Sequence, residues 1–332
     1  MKKRIGFTTT VPVEIILAAG HVPVDLNNIF VTDKDPASFV DNAETEGLPR
    51  NICAWIKGIY TAVTKADIDE VIAVTEGDCS NSHALAELFM EQGIPVHTFA
   101  YPFGKEDRRT FLEREFRSLA KALGTTYEAA AEYTKLTDPI RAKLRRVDEL
   151  TVQEKATGCE NHLWLVTSTD FNTDPVTYEA ELDAKIAEIE ARESADRKIR
   201  IGVLGVPTIF DDMYGFIESK GASVVFNEIQ RQFAIPSQNP DYISRYAEYT
   251  YPYDVFGRIA DIKQQVKERK IDGLIHYVQS FCYRAMQDIT IKKHMDVPVL
   301  AIEGDGPSGI DARTKIRIES FIEMLEAKKN GR

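Results

Sequence analysis

Val71-Ile72-Ala73-Val74-Thr75-Glu76-Gly77-Asp78-Cys79-Ser80-Asn81-Ser82-His83-Ala84-Leu85-Ala86-Glu87-Leu88-Phe89-Met90-Glu91-Gln92 is the stretch that decides the fold. Val71 to Thr75 carries no charge and is rich in β-branched residues, so it reads as a buried strand. Ser82 to Gln92 has helical periodicity, and Gly93 just beyond it is a stop signal. Between strand and helix stands Glu76-Gly77-Asp78-Cys79, a turn that ends in a thiol.

The same alternation extends in both directions, which is the pattern of parallel sheets with crossover helices. Strands are expected at Ile5-Thr9, His21-Asp25 and Val96-Phe99, with helices at Val13-Ala19 and Ile52-Thr64 and a second stop at Gly20. From Lys105 to about Asp196 the pattern turns to charged helical periodicity over Asp107-Ala122, Tyr127-Leu150 and Tyr178-Ser194. Strands return at Arg200-Leu204, Ser223-Asn227, Gly273-Val278 and Val299-Glu303, with helices at Asp211-Lys220, Tyr253-Arg269, Tyr283-His294 and Ala312-Lys328. The expected fold is therefore α/β, with two doubly wound, Rossmann-like or flavodoxin-like parallel-sheet domains. Residues 1–104 form the first domain, 105–196 a helical bridge or insertion and 197–332 the second domain, with a ligand site in the cleft between the two sheets. Glu76-Gly77-Asp78 recurs as Glu303-Gly304-Asp305; duplication would explain the echo, and so would the ordinary preference of Gly and Asp for turns.

A chain of 332 residues can bury two cores. Its formal charge of -11 argues against non-specific nucleic-acid binding, which needs a basic surface. No run approaches the roughly 18 apolar residues of a membrane span, and the start, Met1-Lys2-Lys3-Arg4-Ile5-Gly6, lacks the apolar core of a signal peptide. A cytoplasmic location is expected. There the four cysteines would stay reduced, for use in packing, metal binding or redox chemistry.

Cys53, Cys79 and Cys282 each stand near the start of a predicted helix, Cys79 and Cys282 directly after a strand. In an open α/β sheet the carboxyl ends of the strands line the ligand crevice, and the following helix directs its positive end there. A thiol so placed should be acidified and point into the crevice. The spacings, 26 and 203 residues, exclude compact ferredoxin runs and paired C-x-x-C zinc sites, so a shared site would have to be assembled by tertiary structure. Cys159, in Ala156-Thr157-Gly158-Cys159-Glu160, reads as structural, and His276 as a satisfied core histidine. No G-x-x-x-x-G-K-[ST] phosphate loop and no G-x-S-x-G elbow is present, and Gly202-Val203-Leu204-Gly205 is only a fragment of the dinucleotide fingerprint.

These features resemble the 2-hydroxyacyl-CoA dehydratase and benzoyl-CoA reductase subunit family over most of the chain. Pro12-Val13-Glu14-Ile15-Ile16-Leu17-Ala18-Ala19-Gly20-His21-Val22-Pro23-Val24 is similar to that family's N-terminal block. Cys53 with Lys57, Cys79 after Val74-Thr75-Glu76-Gly77-Asp78, and Val278-Gln279-Ser280-Phe281-Cys282 are similar to its three cysteine motifs. Glu303-Gly304-Asp305 with Ala312-Arg313-Thr314 and Arg317-Ile318-Glu319-Ser320-Phe321 looks like its C-terminal signature.

The resemblance implies a 4Fe-4S cluster on Cys53, Cys79 and Cys282, an acyl-CoA substrate, and an ATP-hydrolysing iron-sulfur activator protein. In the family, one injected electron turns the thioester into a ketyl radical anion, after which water is eliminated or the acyl group is reduced. A homologous second subunit or a homodimer is the implied assembly. Glu14, Glu76 and Glu303 are candidate acids or bases, and Lys57, one turn after Cys53, a candidate cation for an anionic cluster or substrate. Helix capping by the carboxylates and a solvated lysine are the plainer readings. Three alternatives stay open: a non-catalytic cluster-bearing electron-transfer or partner subunit, a reductase of a different small molecule, and a two-domain binding protein with inert cysteines.

Overall fold

A computed structural model describes residues 2–104 and 107–331. Lys105, where the helical stretch was expected to open, lies outside the described residues. The chain runs β1 (Arg4–Phe7), α1 (Val13–Ala18), β2 (Val22–Asp25), α2 (Leu26–Thr32), α3 (Pro36–Thr45), α4 (Ala54–Lys65), β3 (Glu70–Glu76), α5 (Asn81–Glu91) and β4 (Val96–Ala100). Helices α6 (Arg108–Ala122), α7 (Tyr127–Val152), α8 (Gly158–Val166) and α9 (Pro175–Glu190) follow. The second alternation is β5 (Ile199–Gly205), α10 (Met213–Ser219), β6 (Ala222–Asn227), α11 (Glu228–Phe233), α12 (Tyr242–Ala247), α13 (Val255–Glu268), β7 (Gly273–Gln279), α14 (Gln287–His294), β8 (Val299–Gly304) and α15 (Ala312–Lys329).

The expected strands all form, within a residue or two of their predicted ends. They make two four-stranded parallel sheets, in the orders β2-β1-β3-β4 and β6-β5-β7-β8. Helices α2, α3, α8, α11 and α12 were not foreseen. Asp25 and Asp35 cap α2 and α3 by accepting from Asn27 N and Ser38 N, so Asp25, expected as the last residue of a strand, also starts a helix.

Two compact units emerge, and neither is a single stretch of chain. The first comprises Met1–Ala142, Thr167–Ala180 and Gln232–Asp254; the second comprises Lys143–Val166, Glu181–Arg231 and Val255–Arg332. The helical region expected to form a separate bridge is thus shared between them. In the first unit Ile5, Phe7, Ile72, Val74 and Phe99 are fully buried. In the second, Ile201, Ile217, Ile275, Ile302 and Ile318 form the corresponding core.

The units share a local plan that the Glu-Gly-Asp echo misplaces. That echo pairs β3, third in its sheet, with β8, fourth in the other. The matching strands are β3 and β7. Arg4 N donates to Asp69 Oδ2 (2.7 Å), Asp69 N donates back to Arg4 O (3.0 Å), and Arg4 Nε reaches Ala66 O (3.3 Å). In the second unit Arg200 N donates to Asp272 Oδ2 (2.9 Å), Asp272 N to Arg200 O (2.8 Å) and Arg200 Nε to Arg269 O (2.8 Å). Asp67 and Lys270, at φ 50° and 52°, make the same left-handed turn before these aspartates. Arg4-Ile5-Gly6 and Arg200-Ile201-Gly202 repeat in sequence, and Cys79 and Cys282 each follow the clip aspartate by ten residues.

Two buried polar sites tie helices and turns to the first sheet. Glu14, fully buried, is ion-paired with Arg141 and accepts from Thr137 Oγ1 (2.7 Å) and Tyr242 Oη (2.9 Å). Burial alone would raise its carboxyl, but the charge and hydrogen bond of Arg141 outweigh this and hold it below the ordinary range. Removing one partner of such a pair leaves the other charge uncompensated. Glu14→Gln is therefore expected to destabilise the chain by about 3–5 kcal/mol in chemical denaturation.

Asp170 accepts from Asp25 N (2.8 Å), Asn28 Nδ2 (3.2 Å) and Asn172 N (3.0 Å), and it opens a turn in which Phe171, Asn172 and Thr173 are all left-handed. Burial, and then the charge of Asp25, pushes its carboxyl up to about 7, and burial also raises Asp25. A raised carboxyl binds its proton more tightly folded than unfolded. Its contribution is full below the unfolded value of 3.8 and lost as pH climbs through about 7. The stability of Asp170→Asn relative to the parent should accordingly grow by a few kcal/mol between about pH 4 and pH 8, in denaturant titrations of both proteins.

Candidate functional site

In each sheet the strand order reverses beside the first strand, between β1 and β3 and between β5 and β7. The carboxyl ends of these strands are where an open α/β sheet presents ligand-binding groups. In the first unit they lead into Thr8–Pro12 and Glu76–Ser80. Thr8 Oγ1 accepts from Val74 N (3.1 Å) and Tyr101 Oη donates to Thr10 O (2.7 Å), so the first of these turns is bonded to β3 and to the residue just beyond β4.

Gly77 lies at φ +94°, and a Cβ there would come within 2.8 Å of both Pro252 Cβ and Tyr101 Cβ. The turn must therefore carry glycine to pass under that segment. Beyond it Asp78 accepts from Cys79 N (2.8 Å) and Ser82 Oγ (2.9 Å), which places Cys79 one residue ahead of Ser80, the N-cap of α5. Glu76, half-buried at the end of β3, has its carbonyl bonded by Tyr101 N (2.9 Å).

Cys53, 7% exposed, is the N-cap of α4. Lys57 follows one turn later, with its backbone N–H on Cys53 O (3.3 Å). Its ammonium, though, is turned to Glu44 Oε1 (2.8 Å) and Arg50 O (2.9 Å). The hydrogen bond from Lys57 holds the Glu44 carboxyl below its ordinary range. Lys57 thus orders the segment that leads into Cys53. Glu14, by contrast, is engaged with Arg141 on α7 rather than with either cysteine turn.

In the second unit β7 ends in Gln279, and Cys282 caps a 3-10 turn at Tyr283–Met286. Cys282 N donates to Gln279 O (3.0 Å). Glu303, exposed on β8, accepts from Ser280 Oγ (2.8 Å), so this carboxylate and the Cys282 turn are joined by one side chain. His276 is buried, with Nδ1 against Asp288 Oδ1 (2.9 Å). Cys159 packs against the apolar core, and burial raises its thiol.

None of the four cysteines is in a disulfide. Among the described residues no three His, Cys, Asp or Glu side chains gather closely enough to hold a metal ion. A single zinc ion needs its sulfur ligands about 2.3 Å from one point, whereas a cluster spreads its thiolates over separate irons. Cysteine thiolates alone serve either kind of group, and Cys53 and Cys79 belong to the first unit while Cys282 belongs to the second. Among the described residues, the buried polar atoms without a hydrogen-bond partner include Thr10 Oγ1 and Trp55 Nε1, which sequence reasoning passed over. Three hydroxyl residues in succession, Thr8-Thr9-Thr10, directly after a strand were the available signal for the first. Nothing in the sequence distinguishes Trp55 from a core aromatic.

Residues 8–325 match the family described as "2-hydroxyglutaryl-CoA dehydratase, D-component". The chain is also 25% identical over 356 residues, 96% of its own length and 90% of the other's, to the Escherichia coli (strain K12) protein named "Putative dehydratase subunit YjiM". Two solved structures of the protein SBP FpvC from Pseudomonas aeruginosa, with Mn2+ and with Ni2+, align with 99% of this chain and with 100% and 98% of their own. Their identity is 14% and their TM-score 0.23, too low a likeness to carry any argument. No helix among the described residues is long and apolar enough to cross a membrane.

Gly77→Ala tests the cysteine turn of the first unit. With the left-handed φ and the contact with Pro252 acting together, the substitution is expected to cost about 2 kcal/mol or more in denaturant unfolding.

Proposed function

The chain belongs to the 2-hydroxyglutaryl-CoA dehydratase D-component family, and from that membership we propose that it is a lyase-type subunit that removes water from a 2-hydroxyacyl-CoA. In this reading Cys53, Cys79 and Cys282 hold a 4Fe-4S cluster. The observation that carries it is that all three cysteines fall within the matched span, 8–325, and that each stands at the head of a helical turn.

A bound cluster supplies one electron at a time and an iron able to polarise a substrate oxygen. The net elimination takes the hydroxyl from C2 and a proton from C3 and is redox-neutral, so the electron delivered by an ATP-dependent activator protein is returned at the end. The chain's own residues then have divided roles. The thiolates anchor the cluster, and Lys57 orders the approach to Cys53 through Glu44 and Arg50. Glu76 and Glu303, at the ends of β3 and β8, are the carboxylates proposed to exchange protons with substrate and leaving water. Glu14 contributes by holding α7 in place. The words component and subunit in the names of its relatives support a second subunit or second copy as partner, and the proposed location is the cytoplasm.

Anaerobic purification is the direct test. The protein should be brown, with about four irons and matching sulfide per chain; Cys79→Ser should lose them and Cys159→Ser retain them. Colourless, iron-free protein prepared without oxygen would sink the reading. Iron-loaded protein that never turns over 2-hydroxyacyl-CoA with activator, ATP and a strong reductant would favour an electron-transfer or partner subunit.

A further inference from the structure

The turn that carries Cys282 sets exposed apolar side chains around buried Arg284 and is held at both ends. Phe281 is left-handed at φ +62° and 57% exposed, and Tyr283 and Met286 are 39% and 70% exposed. A bulky residue with positive φ is disfavoured, and apolar side chains facing water offer little packing to fix a turn. Within the turn Arg284 is buried, at 5% exposed, and the two ends add their own constraints.

Downstream, the first residues of α14 are tied to the sheet. Arg258 donates to Gln287 Oε1 and pairs with fully buried Glu228, while Asp288 meets His276. Upstream, Ser280 joins the turn to β8 through its N–H on Gly304 O (2.8 Å) and its Oγ on Glu303 Oε1 (2.8 Å), and one buried side chain adds a further link. Gln279 is 1% exposed; its Nε2 donates to Asp305 O (2.7 Å) and its Oε1 accepts from Tyr277 Oη (2.7 Å). Its own carbonyl accepts from Cys282 N (3.0 Å). Gly304 makes room for this arrangement, since a Cβ there would lie 2.2 Å from Tyr277 Oη.

We propose that Gln279 is a positioning residue for Cys282: by joining the end of β7 to the turn after β8 and to Tyr277, it fixes the backbone from which the thiol projects. The value of that thiol rests on the reading of Cys282 as a cluster ligand, but the geometric claim can be tested without iron.

The test is alkylation of the iron-free, full-length chain by iodoacetamide, with the rate at each cysteine followed by mass spectrometry. In Gln279→Leu the Cys282 rate should change by about threefold or more, while those of Cys53, Cys79 and Cys159 stay within about twofold. Gln279→Glu keeps the bond from Tyr277 and loses the donation to Asp305, so it should fall between parent and Gln279→Leu. Tyr277→Phe should move Cys282 in the same direction as Gln279→Leu. An unchanged Cys282 rate in Gln279→Leu, or equal changes at all four thiols, would overturn the proposal; so would an unfolded Gln279→Leu accompanied by an unaltered Cys282 in Tyr277→Phe. Failure of the cluster reading would show in iron analysis of the parent and leave this result standing.

Discussion

Parallel pairing of β1 with β3, and of β5 with β7, is the constraint on which the rest depends. A parallel ladder forces each return of the chain through a crossover and brings strand ends of like polarity to one edge. The Arg–Asp clip at the opposite edge anchors that ladder in both units, with Arg4 on Asp69 and Arg200 on Asp272. From the clip aspartate the strand runs outward, and the tenth residue on is cysteine in each case. The thiols of Cys79 and Cys282 thus hold equivalent places in two copies of one local plan. Cys53 enters differently, from the head of α4.

Much of the fold was legible because its signals are local. Uncharged β-branched runs such as Val71–Thr75 and Gly273–Val278 announce buried strands, and Gly20 and Gly93 take up the left-handed φ their stop signals imply, at 74° and 79°. What stayed hidden was long-range. Asp69 and Asp272 look like ordinary loop aspartates until their partners, more than sixty residues away, are in place. The Glu-Gly-Asp echo misled for the complementary reason: a short string shared by two turns says nothing of which strand it ends. Among the candidate residues, residue type singled out the cysteines for attention but did not show that Lys57 turns to Glu44 and Arg50, nor that Glu14 meets an arginine on α7.

Buried charge is used in two ways. Glu14 with Arg141, and Glu228 with Arg258, are opposite charges that compensate one another away from water, each joining a helix to the body of its own unit. Asp25 and Asp170 are like charges, bonded mainly by amide donors, and they hold a turn of three consecutive left-handed residues. The first kind specifies where a helix lies. The second keeps a strained backbone in place, with burial and mutual repulsion both favouring a bound proton.

The interleaving of the two units bears on how the polypeptide reaches its final form. The chain passes from one unit to the other after residues 142, 166, 180, 231 and 254. Synthesis proceeds from the amino end, and the first unit includes Gln232–Asp254, whose Tyr242 reaches back to Glu14. Its sheet can pair early, but its buried cluster of tyrosines and Glu14 cannot close until most of the protein has left the ribosome. A nascent chain halted before that point would leave Glu14 without its tyrosine donor and the aromatic packing unfilled, so the first unit closes only late in synthesis.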